Sequence, residues 1–206
     1  MSAPSPLQLE AIPQLSGCVL AGGRSRRMGQ NKALLHYHHR SQLIQTLGLL
    51  RPFSTELSCS IGDQSRLRHH LPPSTIALLD ERPGGGPIEG IRSALSYDPS
   101  SAWIILAVDL PALTQEDIAL LIRERDPSQY ATFFGISSEN FEPTCAIYEP
   151  KALQVIKSAI QQGIRSLHRI FAHLPIKIVQ PRPHALFNAN TPDDRERFRA
   201  QPANPG

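Results

Sequence analysis

Gly22-Gly23 follows the short apolar run Gly17-Cys18-Val19-Leu20-Ala21, and the cations Arg27 and Lys32 come soon after. Small apolar residues of this kind suit a buried parallel strand, and paired glycines allow backbone conformations closed to residues with a side chain. Phosphate oxygens could then approach bare N–H groups at the turn. Arg27 and Lys32 would place positive charge where a departing pyrophosphate builds up negative charge. The stretch is therefore expected to hold a nucleoside triphosphate. It matches neither the P-loop, G-x-x-x-x-G-K-S/T, nor the dinucleotide fingerprint, G-x-G-x-x-G.

Asp109 directly follows Trp103-Ile104-Ile105-Leu106-Ala107-Val108, the strongest buried-strand pattern in the chain, and Pro111 keeps that strand from continuing. A carboxylate at such a strand tip suits Mg²⁺, which in nucleotide sites takes one or two carboxylates together with phosphate oxygens. It would equally suit a loop or a helix cap. Pro83-Gly84-Gly85-Gly86-Pro87 reads as a loop, and residues 88–95 start a helix whose N-terminus faces that loop and favours an anion. In open parallel sheets, ligands gather beyond the carboxyl ends of the strands. If every strand is parallel, the glycine turn, the second glycine loop and Asp109 line one cleft.

The elements that would hold these residues alternate. Leu43, Ile44, Leu47 and Leu50 give a helix over 41–51, and strands are expected at 56–61, 75–79 and 103–108. Thr114, with Asp117 three residues on, forms a capping-box variant ahead of Ile118, Leu121 and Ile122. Further strands fall near 131–134, 144–148 and 176–179, with a helix over 150–159. Strands and helices taken in turn imply a mainly parallel sheet covered on both faces.

A chain of 206 residues with 40% hydrophobic content suits one domain with a real core. The net charge of +3 is spread along the sequence rather than gathered, which argues against nucleic acid as a partner. Cys18, Cys59 and Cys145 are odd in number, far apart and set in apolar runs, as buried residues of a reducing compartment would be. No run approaches the roughly eighteen apolar residues of a membrane span, so a cytoplasmic protein without a membrane partner is expected. Proline-rich residues 1–13 and the segment 199–206 read as flexible tails around a domain at 14–198.

Leu20-Ala21-Gly22-Gly23-x-Ser25-x-Arg27-Met28-Gly29-x-x-Lys32 resembles the signature of the molybdenum cofactor guanylyltransferases, within the nucleotidyltransferase superfamily. Other segments agree in order: Asp80 ahead of Gly86-Pro87-Ile88-Glu89-Gly90-Ile91, then Val108-Asp109-Leu110-Pro111, Glu142-Pro143-Thr144-Cys145-Ala146, Gly163-Ile164-Arg165-Ser166-Leu167 and Asn188-Ala189-Asn190-Thr191-Pro192-Asp193-Asp194. The likeness runs over about residues 15–198. It implies a single-domain, Rossmann-like three-layer α/β sandwich with a mostly parallel mixed sheet, of the nucleotide-diphospho-sugar transferase kind. It also implies an activity: GMP passes from GTP to the terminal phosphate of molybdopterin or the molybdenum cofactor, and pyrophosphate is released.

By motif position, Leu20, Ala21, Gly22 and Gly23 resemble the nucleotide-binding turn, Lys32 its phosphate-contacting cation, Asp80 a carboxylate of the nucleotide site and Asp109 the ligand of Mg²⁺. Arg27 is the candidate for the pyrophosphate end, so Arg27, Lys32 and Asp109 form the catalytic set. Asn188 and Asn190 resemble the pterin region, with Thr144 and Arg165 as further candidates. Cofactor-delivery or molybdoenzyme-maturation proteins are implied as partners. Simpler readings stand beside these: Asp80 suits a turn, Arg165 a surface position, and Asn190-Thr191-Pro192-Asp193 a helix start.

Asn31 stands where the family usually has Asp, Glu89 replaces a small residue, and Ser60-Ile61-Gly62-Asp63 lacks the Asn that commonly meets the base. The other activities to weigh are a molybdopterin cytidylyltransferase or a sugar-phosphate nucleotidyltransferase and, in another class, a non-catalytic GTP-binding regulatory or adaptor protein. Gly22-Gly23 favours GTP, since relatives that use CTP tend to carry Ala-Ala-Gly at this turn.

Overall fold

Strand β4, Ala102–Ala107, is buried along its whole length, and its alternating side chains divide the interior in two. Ile104 and Leu106 join one apolar cluster with Val19, Leu43, Leu47, Ile118 and Leu121, whereas Trp103 and Ile105 join another with Leu20, Ile91, Phe133, Tyr148 and Ile156. A central strand covered on both faces has this pattern, with neighbouring residues pointing into opposite layers. The protein is described here by a computed structural model covering residues 12–22, 31–37, 39–62, 65–82, 84–189 and 191–200.

The remaining strands are β1 (Leu15–Leu20), β2 (Leu57–Gly62), β3 (Ile76–Leu79), β5 (Ala131–Ser137), β6 (Asn140–Tyr148) and β7 (Ile176–Val179). They form one seven-stranded sheet in the order β3-β2-β1-β4-β6-β5-β7. All pairings are parallel except those of β6, which runs antiparallel to both β4 and β5. The sheet is thus mixed and mostly parallel. The reversal of β6 places its beginning, rather than its end, at the carboxyl edge of the other strands.

Helices α1 (Gln42–Leu50) and α3 (Gln115–Arg123) supply one outer layer, and α2 (Pro87–Tyr97), α4 (Ala152–Gln161) and the short α5 (Leu167–Phe171) supply the other. The expected capping box of α3 is present: Asp117 N–H donates to Thr114 Oγ1 at 3.3 Å, and Thr114 N–H donates to Asp117 Oδ2 at 2.9 Å. Helix α6 (Pro192–Ala200) starts the same way, with reciprocal bonds between Thr191 and Asp194 at 2.9 and 3.1 Å. It carries regular structure past residue 198, into the segment expected to be a tail. At the amino edge of the sheet, Arg125 forks onto Glu149 at 2.7 and 2.8 Å and donates to Pro13 O at 3.0 Å, fixing the approach to β1.

Two elements differ from the sequence expectation. Strand β6 begins at Asn140, ahead of the expected 144, because Phe141 is buried while Pro143 and a register shift hide the alternation: Phe133 faces Ala146, but Phe134 faces Glu142. Helix α5 is a single short turn of helix capped by Ser166, too brief for its periodicity to be read.

Candidate functional site

Four segments meet beyond the carboxyl edge: the turn after β1, the ends of β2 and β3, and the loop after β4. Ala21 N–H and Gly22 N–H both donate to Ser60 O at 2.9 Å. The expectation of bare N–H groups is therefore corrected at these two positions, where the backbone is already bonded to β2. The reason for glycine at 22 is instead close approach: a Cβ there would stand 3.0 Å from Gly62 N and 3.2 Å from Gly62 Cα. Gly62 itself takes a left-handed φ of 59°. Gly23 and Arg27 lie outside the described residues.

Asp80 follows β3 and flanks this glycine pair. Its Oδ1 accepts the Ser60 hydroxyl at 3.0 Å, and its Oδ2 would be 3.5 Å from a Cβ on Gly62. Helix α2 presses onto the same place. A Cβ on Gly90 would meet Ser60 Oγ at 2.6 Å and Leu20 Cδ2 at 2.8 Å, so glycine lets the start of α2 rest on β1 and β2 without displacing those side chains. Ser60, Gly62 and Gly90 went unassigned in the sequence because each acts through a distant neighbour, and their small size was the one signal available.

The second glycine loop leads into α2 with left-handed Gly84 and Gly86, at φ 81° and 84°. The acid of the first turn, Glu89, is buried and turned inward, where its Cγ would be 2.3 Å from a Cβ on Gly85. Arg92 Nε donates to Glu89 Oε2 at 3.0 Å, and Arg92 Nη1 lies 2.8 Å from Glu81 Oε1. The anion expected at this helix end is thus supplied by the chain itself and neutralised by Arg92. Their i,i+3 spacing was visible in the sequence, but its inward direction was not.

On the other flank, Lys32 lies in a 3-10 turn, Lys32–Leu34, whose Ala33 is fully buried. Asn31 caps it, accepting Ala33 N–H on Oδ1 at 3.0 Å. The cap needs only an acceptor oxygen, so Asn serves it as Asp would. Lys32 Nζ reaches Asp109 Oδ2 at 2.6 Å, with the two side chains 22% and 12% exposed. Asp109 is held by its backbone as well: its carbonyl accepts Ala189 N–H at 2.9 Å. Exposed Asn188 therefore adjoins the residue that bonds the Asp109 backbone, while Asn190 lies outside the described residues.

Leu106 pairs with Cys145, which sets Thr144 beside the end of β4; both its N–H and its hydroxyl go to Glu142 Oε1, at 2.9 and 2.6 Å. Arg165 is exposed just ahead of α5, and no contact places it among the other site residues. The three cysteines are buried and unpaired. Burial raises the Cys18 thiol to about 11 and pushes Cys59 and Cys145 up as well. Among the described residues, no helix is long and apolar enough to cross a membrane.

Residues 17–177 match the family model described as the MobA-like NTP transferase domain. A probable molybdenum cofactor guanylyltransferase of Rhodopirellula baltica is 33% identical over 192 residues, which cover 89% of this chain and 91% of that protein. Another, from Nostoc sp., is 31% identical over 191 residues, covering 87% and 88%. Among solved structures, molybdopterin-guanine dinucleotide biosynthesis protein A from Archaeoglobus fulgidus shares the fold with a TM-score of 0.74 at 24% identity, covering 89% of this chain and 96% of that one.

Proposed function

The chain belongs to the MobA-like NTP transferases, and from that premise we propose that it transfers GMP from GTP to the terminal phosphate of molybdopterin, forming the guanine dinucleotide cofactor and pyrophosphate. The observation that carries the reading is the meeting of Lys32 and Asp109 at the tip of β4, next to the glycine turn of β1. A cation and a carboxylate there are the two groups that a magnesium nucleotide needs.

The acceptor is a phosphate monoester and already anionic, so attack on the α-phosphorus needs no base. One P–O bond forms to the α-phosphorus as the α–β bridge breaks, and the electron pair leaves with pyrophosphate. The protein's task is alignment and charge stabilisation. The Lys32 ammonium, held at the Asp109 carboxylate, brings positive charge to the place where the phosphate oxygens gather. Gly22 and Gly62 let the turn after β1 close onto the end of β2, and the nucleoside lies over that edge, with Asp80 and Ser60 on its border. Asn188, held next to Asp109 through Ala189, positions the acceptor together with Asn190, and Thr144, beside the end of β4, extends that side of the cleft.

The donor set fits a divalent cation bound through the nucleotide. Among the described residues no three His, Cys, Asp or Glu side chains gather into an all-protein cage, whereas one carboxylate plus phosphate oxygens is the usual Mg²⁺ arrangement. When bound, Mg²⁺ at Asp109 would draw charge from the phosphate oxygens and bring donor and leaving group into register. The buried, unpaired thiols suit work in the reducing cytoplasm.

The test supplies Mg²⁺, molybdopterin and either labelled GTP or labelled CTP, and follows pyrophosphate and dinucleotide formation. Guanine dinucleotide from GTP is expected. Turnover with CTP alone would make the enzyme a cytidylyltransferase, and tight GTP binding with no turnover on either nucleotide would make it an adaptor.

A further inference from the structure

Beyond β7 the chain turns back across the loop that carries Asp109 and is fastened to it at two points. At the first, Arg182 Nε and Nη2 donate to Asp117 Oδ1 and Oδ2 at 3.2 and 2.9 Å, and Nη2 also donates to Ala112 O at 3.0 Å. At the second, Ala189 N–H donates to Asp109 O at 2.9 Å. Between these points His184 takes a left-handed φ of 62°, which a residue with a side chain adopts at a cost. Ala185 is fully buried in the same apolar cluster as Val108, Leu110 and Leu113, and Ala189 is fully buried as well.

Asp117 has more partners than a helix cap requires. Its Oδ2 already accepts the N–H and the hydroxyl of Thr114, both at 2.9 Å, which completes the capping box. Here the carboxylate is 2% exposed, and the 30% exposed guanidinium forks over it. Those hydrogen bonds push the Arg182 pKa up. Segments 109–117 and 182–189 thus form one frame, with the strand-tip carboxylate at one corner and Arg182 at the opposite one. Asn188 sits next to the Asp109 corner.

We propose that Arg182 is a positioning residue which couples binding of the phosphorylated pterin acceptor, at Asn188, to alignment of the magnesium nucleotide at Asp109. The inference rests on the functional reading above. Acceptor binding presses on a segment that cannot shift without moving the Asp109 carbonyl or breaking the Arg182 fork, and by linkage each ligand then tightens the other by the same factor.

The coupling is measured with a GTP analogue whose α- and β-phosphates are joined by a methylene bridge, so that both sites fill without turnover. Calorimetry in Mg²⁺, with and without molybdopterin, gives the factor. In the wild type molybdopterin should tighten the analogue roughly tenfold, falling to about twofold or less in Arg182→Ala while affinity for the analogue alone is kept. Arg182→Lys should lie between, since an ammonium does not present the fork that serves Asp117 and Ala112 together; it carries the test should the alanine variant fail to fold. Ile156→Val, in the opposite apolar layer, should lower Tm and leave the coupling intact. A wild type without coupling, or a folded Arg182 variant that keeps all of it, overturns the inference. The functional reading is judged apart from this, by dinucleotide formation from GTP: a wild type that couples the two ligands but makes no product loses that reading alone.

Discussion

Lys32 Nζ lies 2.6 Å from Asp109 Oδ2, although 77 positions separate the two residues in the chain. The contact brings the cation of the β1 turn to the carboxylate of the β4 tip before any substrate is present. The side chains are 22% and 12% exposed, so removing one partner costs about 1–3 kcal/mol, less than the whole stability of a domain.

Lys32→Ala and Asp109→Ala should therefore separate folding from activity. Each is expected to lower kcat/KM for GTP by about 100- to 1000-fold, the usual loss when a group that stabilises developing phosphate charge is removed. Tm should fall by several degrees with the fold kept, because the partner left behind is mostly buried and short of one charged hydrogen bond, a loss of about 1–3 kcal/mol. Dinucleotide formation and thermal denaturation on the same preparations check this. An Asp109→Ala protein with undiminished Mg²⁺-dependent turnover would remove the metal assignment.

Gly22→Ala should weaken GTP binding by a different route. The new methyl would sit 3.0 Å from the Gly62 backbone nitrogen, and backbone cannot swing aside as a flexible side chain can. The turn and the Gly62 backbone must part by a few tenths of an ångström, which strains the shared bonds from Ala21 and Gly22 to Ser60 O. A rise in KM for GTP well beyond any fall in kcat is expected from steady-state kinetics. An unchanged KM would mean that the two glycines touch without shaping the nucleotide site.

The buried thiols give a pH signature. Burial holds the Cys18 thiol protonated to about 11 in the folded chain, and Cys59 and Cys145 are raised too, whereas an unfolded thiol ionises near about 8.5. A raised folded-state pKa stabilises the fold below the unfolded value, and that contribution is lost as pH rises through the folded value. Stability should therefore decline from about pH 8.5 toward pH 11, and a thiol reagent at pH 8 should label the cysteines only once denaturant unfolds the chain. Rapid labelling of the native protein would contradict their burial.

Much of this architecture could be read from short stretches of sequence. Thr114 and Asp117 announce α3 because a capping box is local, and the run ending at Val108 announces β4 because both its faces are apolar. What escaped depends on partners far away in the chain. The first half of β6 is masked by Pro143 and a shifted register. Gly62 and Gly90 matter only where Gly22, Ser60 and Leu20 crowd against them. Lys32 and Asp109 were each legible as functional groups, yet their contact depends on how β1 and β4 lie side by side. Asn31, conspicuous as a departure from the family's Asp, proves to cap the turn that presents Lys32.

Glu89 is the remaining departure, and its energetics follow from its burial. The carboxylate is 2% exposed and meets Arg92, itself 8% exposed, which also holds Glu81 on the loop after Asp80. Glu89→Ala would leave a buried guanidinium with one mostly exposed partner, so a loss of about 1–3 kcal/mol is expected, the cost of a buried polar group deprived of its partner. Replacing both charges, Glu89→Ala with Arg92→Leu, removes the orphan and should recover a large part of that loss, because apolar substitutes for a buried ion pair are often neutral or better. Recovery of stability need not bring recovery of activity. Without Arg92 nothing fastens Glu81, and Asp80 next to it should hold the nucleotide less firmly, so the double variant should regain Tm while keeping a raised KM for GTP. A denaturant-unfolding cycle over the four proteins gives the coupling energy, and kinetics on the same set give KM. Additive losses in the cycle, with KM unaltered throughout, would show that Glu89 and Arg92 merely fill space at the start of α2.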